Sequence, residues 1–167
     1  MSRMAQGILA ALLVLAADQA SKWWIVNGLD LPELGSVALL PVFSLTFVRN
    51  TGVTFGMLGG LGDVGAWILA LVALAVVVAL FFWLRRAETR IVATALGAIA
   101  GGAVGNVLDR LRFGWVVDFL DAHAFGFHWY VFNVADAAIV CGVGVLLLDS
   151  MVRKPDTATL AEPADRR

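Results

Sequence analysis

Gly65-Ala-Trp-Ile-Leu-Ala-Leu-Val-Ala-Leu-Ala-Val-Val-Val-Ala-Leu-Phe-Phe-Trp-Leu84 runs its whole length without a charged residue. At about 1.5 Å of rise per residue, a helix of this length matches the roughly 30 Å hydrocarbon core of a bilayer. Working outward from it, three further apolar segments can be read: Met4 to Val26, Ile91 to Leu108 and Val131 to Met151. The rest of the composition agrees, with 60% hydrophobic and 15% charged residues in a chain of 167. A soluble domain of this size is less apolar. The reading is an all-α polytopic membrane protein with four transmembrane helices, forming one domain over residues 1–152. The stretch 153–167, with Pro155 and Pro163, reads as a disordered cytoplasmic tail.

Charge placement sets the expected orientation. Arg3 precedes the first segment, Arg85, Arg86 and Arg90 join the second to the third, and Arg153, Lys154, Arg166 and Arg167 follow the fourth. With four spans, these eight of the twelve Lys and Arg residues fall on one side, which is predicted to be cytoplasmic. Both termini then lie inside, and the connections Asn27–Val64 and Phe113–Tyr130 lie outside. Within the first connection, Val42-Phe-Ser-Leu-Thr-Phe-Val48 alternates as a strand does, with Phe43, Leu45 and Phe47 on one side. The alternative for segment one is a cleavable signal peptide, since Arg3 and a short apolar run precede Ala17-Asp-Gln-Ala20. Its removal would leave three spans and spoil the charge asymmetry.

In so apolar a chain the polar residues are the informative ones, because ionisable groups at membrane depth are costly and mark function. Asp18 and Lys22, and likewise Asn106 and Arg110, are four apart and share a helix face. Asn133 and Asp136 are three apart at the start of segment four, and Asp118 lies in Trp115-Val-Val-Asp-Phe-Leu-Asp121. Under the four-span topology all of them gather at the outer side. Two carboxylates sharing a proton can hydrolyse a peptide without metal, serine or cysteine: one ionised, drawing a proton from water, the other protonated, holding the scissile carbonyl. Asp118 and Asp136 are the best candidates. Asp121 competes in the same loop. The bland reading is a solvated Asp118 and an Asp136 that caps a helix or pairs with Arg110. Spacing alone leaves these open.

Four further stretches narrow the choice. Asn50-Thr-Gly-Val-Thr-Phe55, Gly101-Gly-Ala-Val-Gly-Asn106-Val-Leu-Asp-Arg110, Val116-Val-Asp-Phe119 and Phe132-Asn-Val-Ala-Asp136 occur in one order, with Asp18 and Lys22 ahead of them. In that order and spacing the chain, over roughly residues 10 to 150, resembles the lipoprotein signal peptidases, also called signal peptidase II. The resemblance implies a four-helix inner-membrane aspartic protease with a small extracytoplasmic β-sheet cradle, here about residues 27–64, and an outer loop at about 113–130. It implies cleavage just before the diacylglyceryl-modified cysteine of a prolipoprotein, and inhibition by globomycin-like peptides. Carried over by position, Asp118 and Asp136 match the catalytic pair. Asn50, Gly52, Asn106, Arg110 and Asn133 match the polar residues around it, and Asp18 and Lys22 fit a supporting ion pair. Val53-Thr54 replaces the commoner Ala-Ala before Phe55, and Tyr130 stands where a Pro usually precedes the final Phe-Asn, which bears on substrate contact.

Other features read plainly. No nucleic-acid partner is expected, since no basic patch interleaves with aromatics. No cofactor or metal is expected: His123 and His128 form no His-Glu-x-x-His pattern, and Cys141 is the only cysteine. The expected surroundings are membrane lipid, and the expected state is a monomer. Trp23, Trp24, Trp115 and Trp129 fall near the proposed interfaces. Gly101, Gly102 and Gly105 suit close helix packing better than a phosphate loop. Ser21 beside Lys22 does not make a Ser-Lys protease, because adjacent helix residues do not face each other. Two other classes are set beside the protease. An ion-coupled transporter needs polar residues through the full bilayer depth, which segment two lacks. A lipid-head-group transferase needs acids on the cytoplasmic side.

Overall fold

The computed structural model describes residues 1–52 and 62–152. The expected tail at 153–167 and the Val53-Thr54-Phe55 portion of the cradle lie outside the described residues. In chain order the elements are α1 (Arg3–Trp23), a π-helical turn (Trp24–Gly28), α2 (Leu31–Leu34), β1 (Ser36–Leu40), β2 (Phe43–Asn50) and α3 (Gly62–Leu84). They continue with α4 (Arg90–Phe113), β3 (Val116–Ala124), β4 (Phe127–His128) and α5 (Val134–Val152). The helices α1, α3, α4 and α5 are long and apolar enough to cross a membrane. Their exposed Leu, Val, Ile and Phe side chains suit a lipid surround, because apolar surface on this scale is not left to water.

Helix α4 is central. Of its most apolar window 61% is buried, against 11% for the other three helices, and α1, α3 and α5 all pack on it. Small residues allow this. A Cβ added at Gly97 would run into the carbonyl of Gly7, and one at Gly101 into the carbonyl of Ala11, so α1 and α4 meet backbone to backbone. Gly102 does the same for α5 at the Ala135 carbonyl, at 2.6 Å. This bears out the packing role read for the Gly-rich segment. At the far end, Leu80, Leu84, Val92, Leu96 and Ile99 form the apolar contact between α3 and α4.

The four strands form one antiparallel sheet, in the order β1-β2-β3-β4, at the end of the bundle where α1 ends and α5 begins. The strand read at β2 is present, but its burial does not simply alternate, since the adjacent Ser44 and Leu45 are both buried. Phe43 and Phe47 pack with Leu45 against Ile25, Leu31, Val117 and Phe119, which fastens the sheet to the π-helical turn that follows α1 and to α2. A bulge between Leu45 and Val48 puts one extra residue in β2 opposite β3. Two segment boundaries differ from the sequence reading. Helix α4 continues to Phe113, where Gly114 at φ 79° ends it in a left-handed cap. Helix α5 starts at Val134 rather than Val131, because Phe132 exchanges backbone hydrogen bonds with Leu120 and so belongs to the edge of β3.

Candidate active site

The first turn of α5 builds half of the site. Asn133 caps the helix: its Oδ1 accepts from the Asp136 backbone N–H at 2.9 Å, and Asp136 Oδ2 accepts from the Asn133 backbone N–H at 3.2 Å. This reciprocal pair is the capping-box geometry, and it fixes the Asp136 side chain at the helix entrance. Another orphan donor of that turn, the Ala135 N–H, goes to Asp18 Oδ1 on α1 at 3.0 Å. A carboxylate is well placed there, against the positive end of the helix dipole.

Strand β3 brings the other acid. Asp118 is 1% exposed, not the solvated loop acid of the bland reading. Its Oδ1 accepts from Asn133 Nδ2 at 2.7 Å and its Oδ2 from Asn50 Nδ2 at 2.9 Å. Asn133 therefore touches both acids, Asp118 through its side-chain nitrogen and Asp136 through its backbone and Oδ1. The same nitrogen also lies 3.1 Å from Asn106 Oδ1 and 3.3 Å from the Val117 carbonyl. Asn106 Nδ2 donates to Asp136 Oδ1 at 2.8 Å. Burial, first, and then the nearby Asp136 carboxylate push Asp118 up to about 7, against hydrogen bonds from Asn50 and Asn133 that favour its charged form.

The remaining expected residues border this pair. Asn50 Oδ1 accepts from the Gly52 N–H at 3.1 Å, shaping the end of β2. Arg110 reaches the Asn106 and Gly52 carbonyls at 3.4 and 3.5 Å. Lys22 is 4% exposed and lies 2.9 Å from Asp18, the expected pair. It also donates to Asn106 Oδ1 at 3.1 Å, which turns the Asn106 amide so that its NH₂ points at Asp136. Gly105 lies directly under Asp18, where any side chain would collide with the carboxylate.

Two residues of this network were not singled out from the sequence. Asp109 is buried and holds Lys22 at 2.8 Å, while its carboxylate also accepts from the Val117 N–H and from Gln19 Nε2. Gln19 in turn bridges Asp18, Asp109 and Arg112. The available signal was the three-residue spacing of Asn106 and Asp109, which puts both on one face of α4. Asp121, the competing acid, is odd-numbered along β3 relative to Asp118 and points to the opposite face. There Thr46 Oγ1 donates to it at 3.0 Å and His128 Nδ1 lies at 3.0 Å. Burial raises its pKa, but these hydrogen bonds outweigh burial and hold it below the usual carboxylate value. Among the described residues, no group of three or more His, Cys, Asp or Glu side chains is placed to hold a metal ion.

The signal peptidase (SPase) II family profile matches residues 10–152. The chain belongs to the signal peptidase II family. Two relatives, each named lipoprotein signal peptidase, illustrate the likeness. One, from Methylorubrum extorquens (strain PA1), is 47% identical over 93% of this chain and 91% of its own length. The other, from Beijerinckia indica subsp. indica, is 45% identical over 90% of each. Among solved structures, a bacterial membrane enzyme determined by the in meso method at 2.3 Å resolution superposes with a TM-score of 0.77. It is 26% identical and the match covers 98% of this chain and 96% of that one. The fold and the enzyme class expected for a signal peptidase II, a membrane aspartic peptidase, are thereby established for this chain.

Proposed function

We propose that this chain removes signal peptides from diacylglyceryl-modified prolipoproteins, cutting just before the lipidated cysteine, with Asp118 and Asp136 activating water. The observation that carries this reading is Asn133, one residue hydrogen-bonded to both acids. Asp118, titrating at about 7, keeps its proton into the neutral range and hydrogen-bonds with it to the scissile carbonyl oxygen. Asp136 takes a proton from water as the water oxygen bonds to the carbonyl carbon. The same proton then passes to the departing amine as the C–N bond breaks. Asn50 and Asn106 hold the acids, and Arg110 and Gly52 border the entry.

In this reading both termini are cytoplasmic, the acids lie at the outer face, and residues 1–152 act as one domain with a cytoplasmic tail. The substrate's acyl chains keep its scissile bond at that depth, since each buried CH₂ contributes about 0.8 kcal/mol toward membrane residence. Globomycin-like peptides would compete for the same place. The test is incubation of the purified protein with one prolipoprotein, with and without its diacylglyceryl group, in the presence and absence of EDTA. Release of the signal peptide from the lipidated form, undiminished by EDTA, is expected. Equal cleavage of both forms removes the role of the lipid, and loss of activity in EDTA removes the dyad.

A further inference from the structure

At the opposite end of the bundle from the acids, a cavity of about 410 Å³ lies between α4 and α5, with Gln6 of α1 at its edge. That volume is within the roughly 300–1,000 Å³ range of small-molecule sites. It exists because the facing positions are small: Ala98 of α4 and Ala138 and Cys141 of α5 line it. Its polar wall groups are turned to one another. Gln6 Nε2 donates to Thr94 Oγ1 at 2.8 Å, and Thr94 Oγ1 donates to the Arg90 carbonyl at 2.9 Å. What remains is an apolar slot in the span, with the exposed guanidinium of Arg90 at its mouth.

The charge around the mouth selects the occupant. Arg3, Arg85, Arg86 and Arg90 stand at this end against the acids Glu88 and Asp149. A guanidinium matches the geometry of a phosphate with its planar fork. Anionic lipid is drawn to juxtamembrane basic clusters by about 1 kcal/mol per Lys or Arg. A signal peptide is repelled instead, because its leading region is itself positive. We infer that this slot seats an acyl chain of one anionic phospholipid, whose phosphate is held by Arg90.

Cys141, the only cysteine of the chain, lines the slot and is exposed, so it reports occupancy without an engineered label. The full-length protein in detergent micelles is titrated with phosphatidylglycerol or with phosphatidylcholine. The rate of Cys141 modification by a small apolar maleimide is then measured. Phosphatidylglycerol should slow modification at about tenfold lower concentration than phosphatidylcholine, because both carry the phosphate but the choline ammonium cancels the net negative charge that the arginine cluster attracts. Arg90→Gln should reduce that preference several-fold, one arginine of the four being lost. Ala98→Leu, which fills the slot, should slow modification whichever lipid is present, and native mass spectrometry should show one phosphatidylglycerol retained per wild-type chain. Equal protection by the two lipids, or an unchanged preference in Arg90→Gln, overturns the inference. So does protection by a synthetic signal peptide in place of lipid, or protection that grows with protein concentration alone.

Discussion

Lys22→Met keeps the length of the side chain and removes its charge, which isolates what the ammonium does. Lys22 Nζ lies within 2.9 Å of Asp18, 2.8 Å of Asp109 and 3.1 Å of Asn106, and neither acid is more than 1% exposed. Removing one partner of a buried ion pair costs about 3–5 kcal/mol. Here two carboxylates are left facing each other, so the upper end of that range is expected. At about 2–4 °C of midpoint per kcal/mol for a chain of this size, the unfolding midpoint should drop by roughly 10–20 °C. Asp109→Asn is the paired control. Its amide oxygen still accepts from the Val117 N–H or Lys22, and the loss should be only about 1–2 kcal/mol. Tryptophan fluorescence of the purified protein on heating in detergent reads both. A Lys22→Met midpoint within about 2 °C of wild type, on the same scale, would refute the reasoning. A stable but inactive Lys22→Met would move Lys22 from support into the chemistry.

Asp118→Asn and Asp136→Asn should each abolish prolipoprotein cleavage while leaving the protein folded, and Asp121→Asn should retain much of its activity. The reverse order for Asp118 and Asp121 in the same peptide-release assay would reassign the dyad. The raised Asp118 value also sets a pH dependence of stability. Its folded value of about 7 lies above the ordinary 3.8, so the contribution of the protonated form is complete below about pH 4 and is lost as pH rises through 7. Asp118→Asn cannot ionise, so its melting midpoint should change less than wild type between about pH 5 and pH 8 and be the higher of the two at the alkaline end. Parallel curves would contradict this. Gly101→Val should destabilise by at least about 1–3 kcal/mol, because its Cβ meets the Ala11 carbonyl. Gly144→Ala, where nothing lies within 4 Å, should be neutral or stabilising in the same melting experiment.

How much of this was legible in the sequence depends on how far apart the interacting residues stand. The spans were plain from apolar runs, and Asp18 with Lys22 and Asn133 with Asp136 were plain from helical spacing, since each pair lies within one turn. The β2 strand showed in its alternation, but β1, β3 and the bulge did not. Val116 and Val117 are both buried, so β3 has no simple in–out pattern, and its partners come from a distant loop. Asp109 escaped for the same reason. Its defining contact, Lys22, is on another helix, and nothing in the local spacing of α4 says which partner Asp109 meets. The roles of Asn50 and Gly52 came from the family resemblance alone, because the turn that brings Asn50 to Asp118 is tertiary. The opposite facing of Asp118 and Asp121 follows only once β3 is known to be a strand.

The amide of Asn133 has a consequence for how the site responds to a proton. Its nitrogen carries two hydrogens but lies within reach of three oxygens, on Asn106, Val117 and Asp118. The amide serves at most two of the three with straight hydrogen bonds, and Asn106 Oδ1 has Lys22 as a second donor. While Asp118 is ionised, its short 2.7 Å contact claims one hydrogen, and the other two oxygens compete for the second. When Asp118 gains a proton at Oδ1 that claim weakens, and the released hydrogen turns toward the Val117 carbonyl. The hypothesis is that the backbone of β3 senses the ionisation of the acid beside it, tightening and slackening by one hydrogen bond. Isotope-edited infrared spectroscopy of the Val117 carbonyl should then show a band that moves as Asp118 titrates, and a band that stays fixed would show that the amide does not reassign its hydrogens.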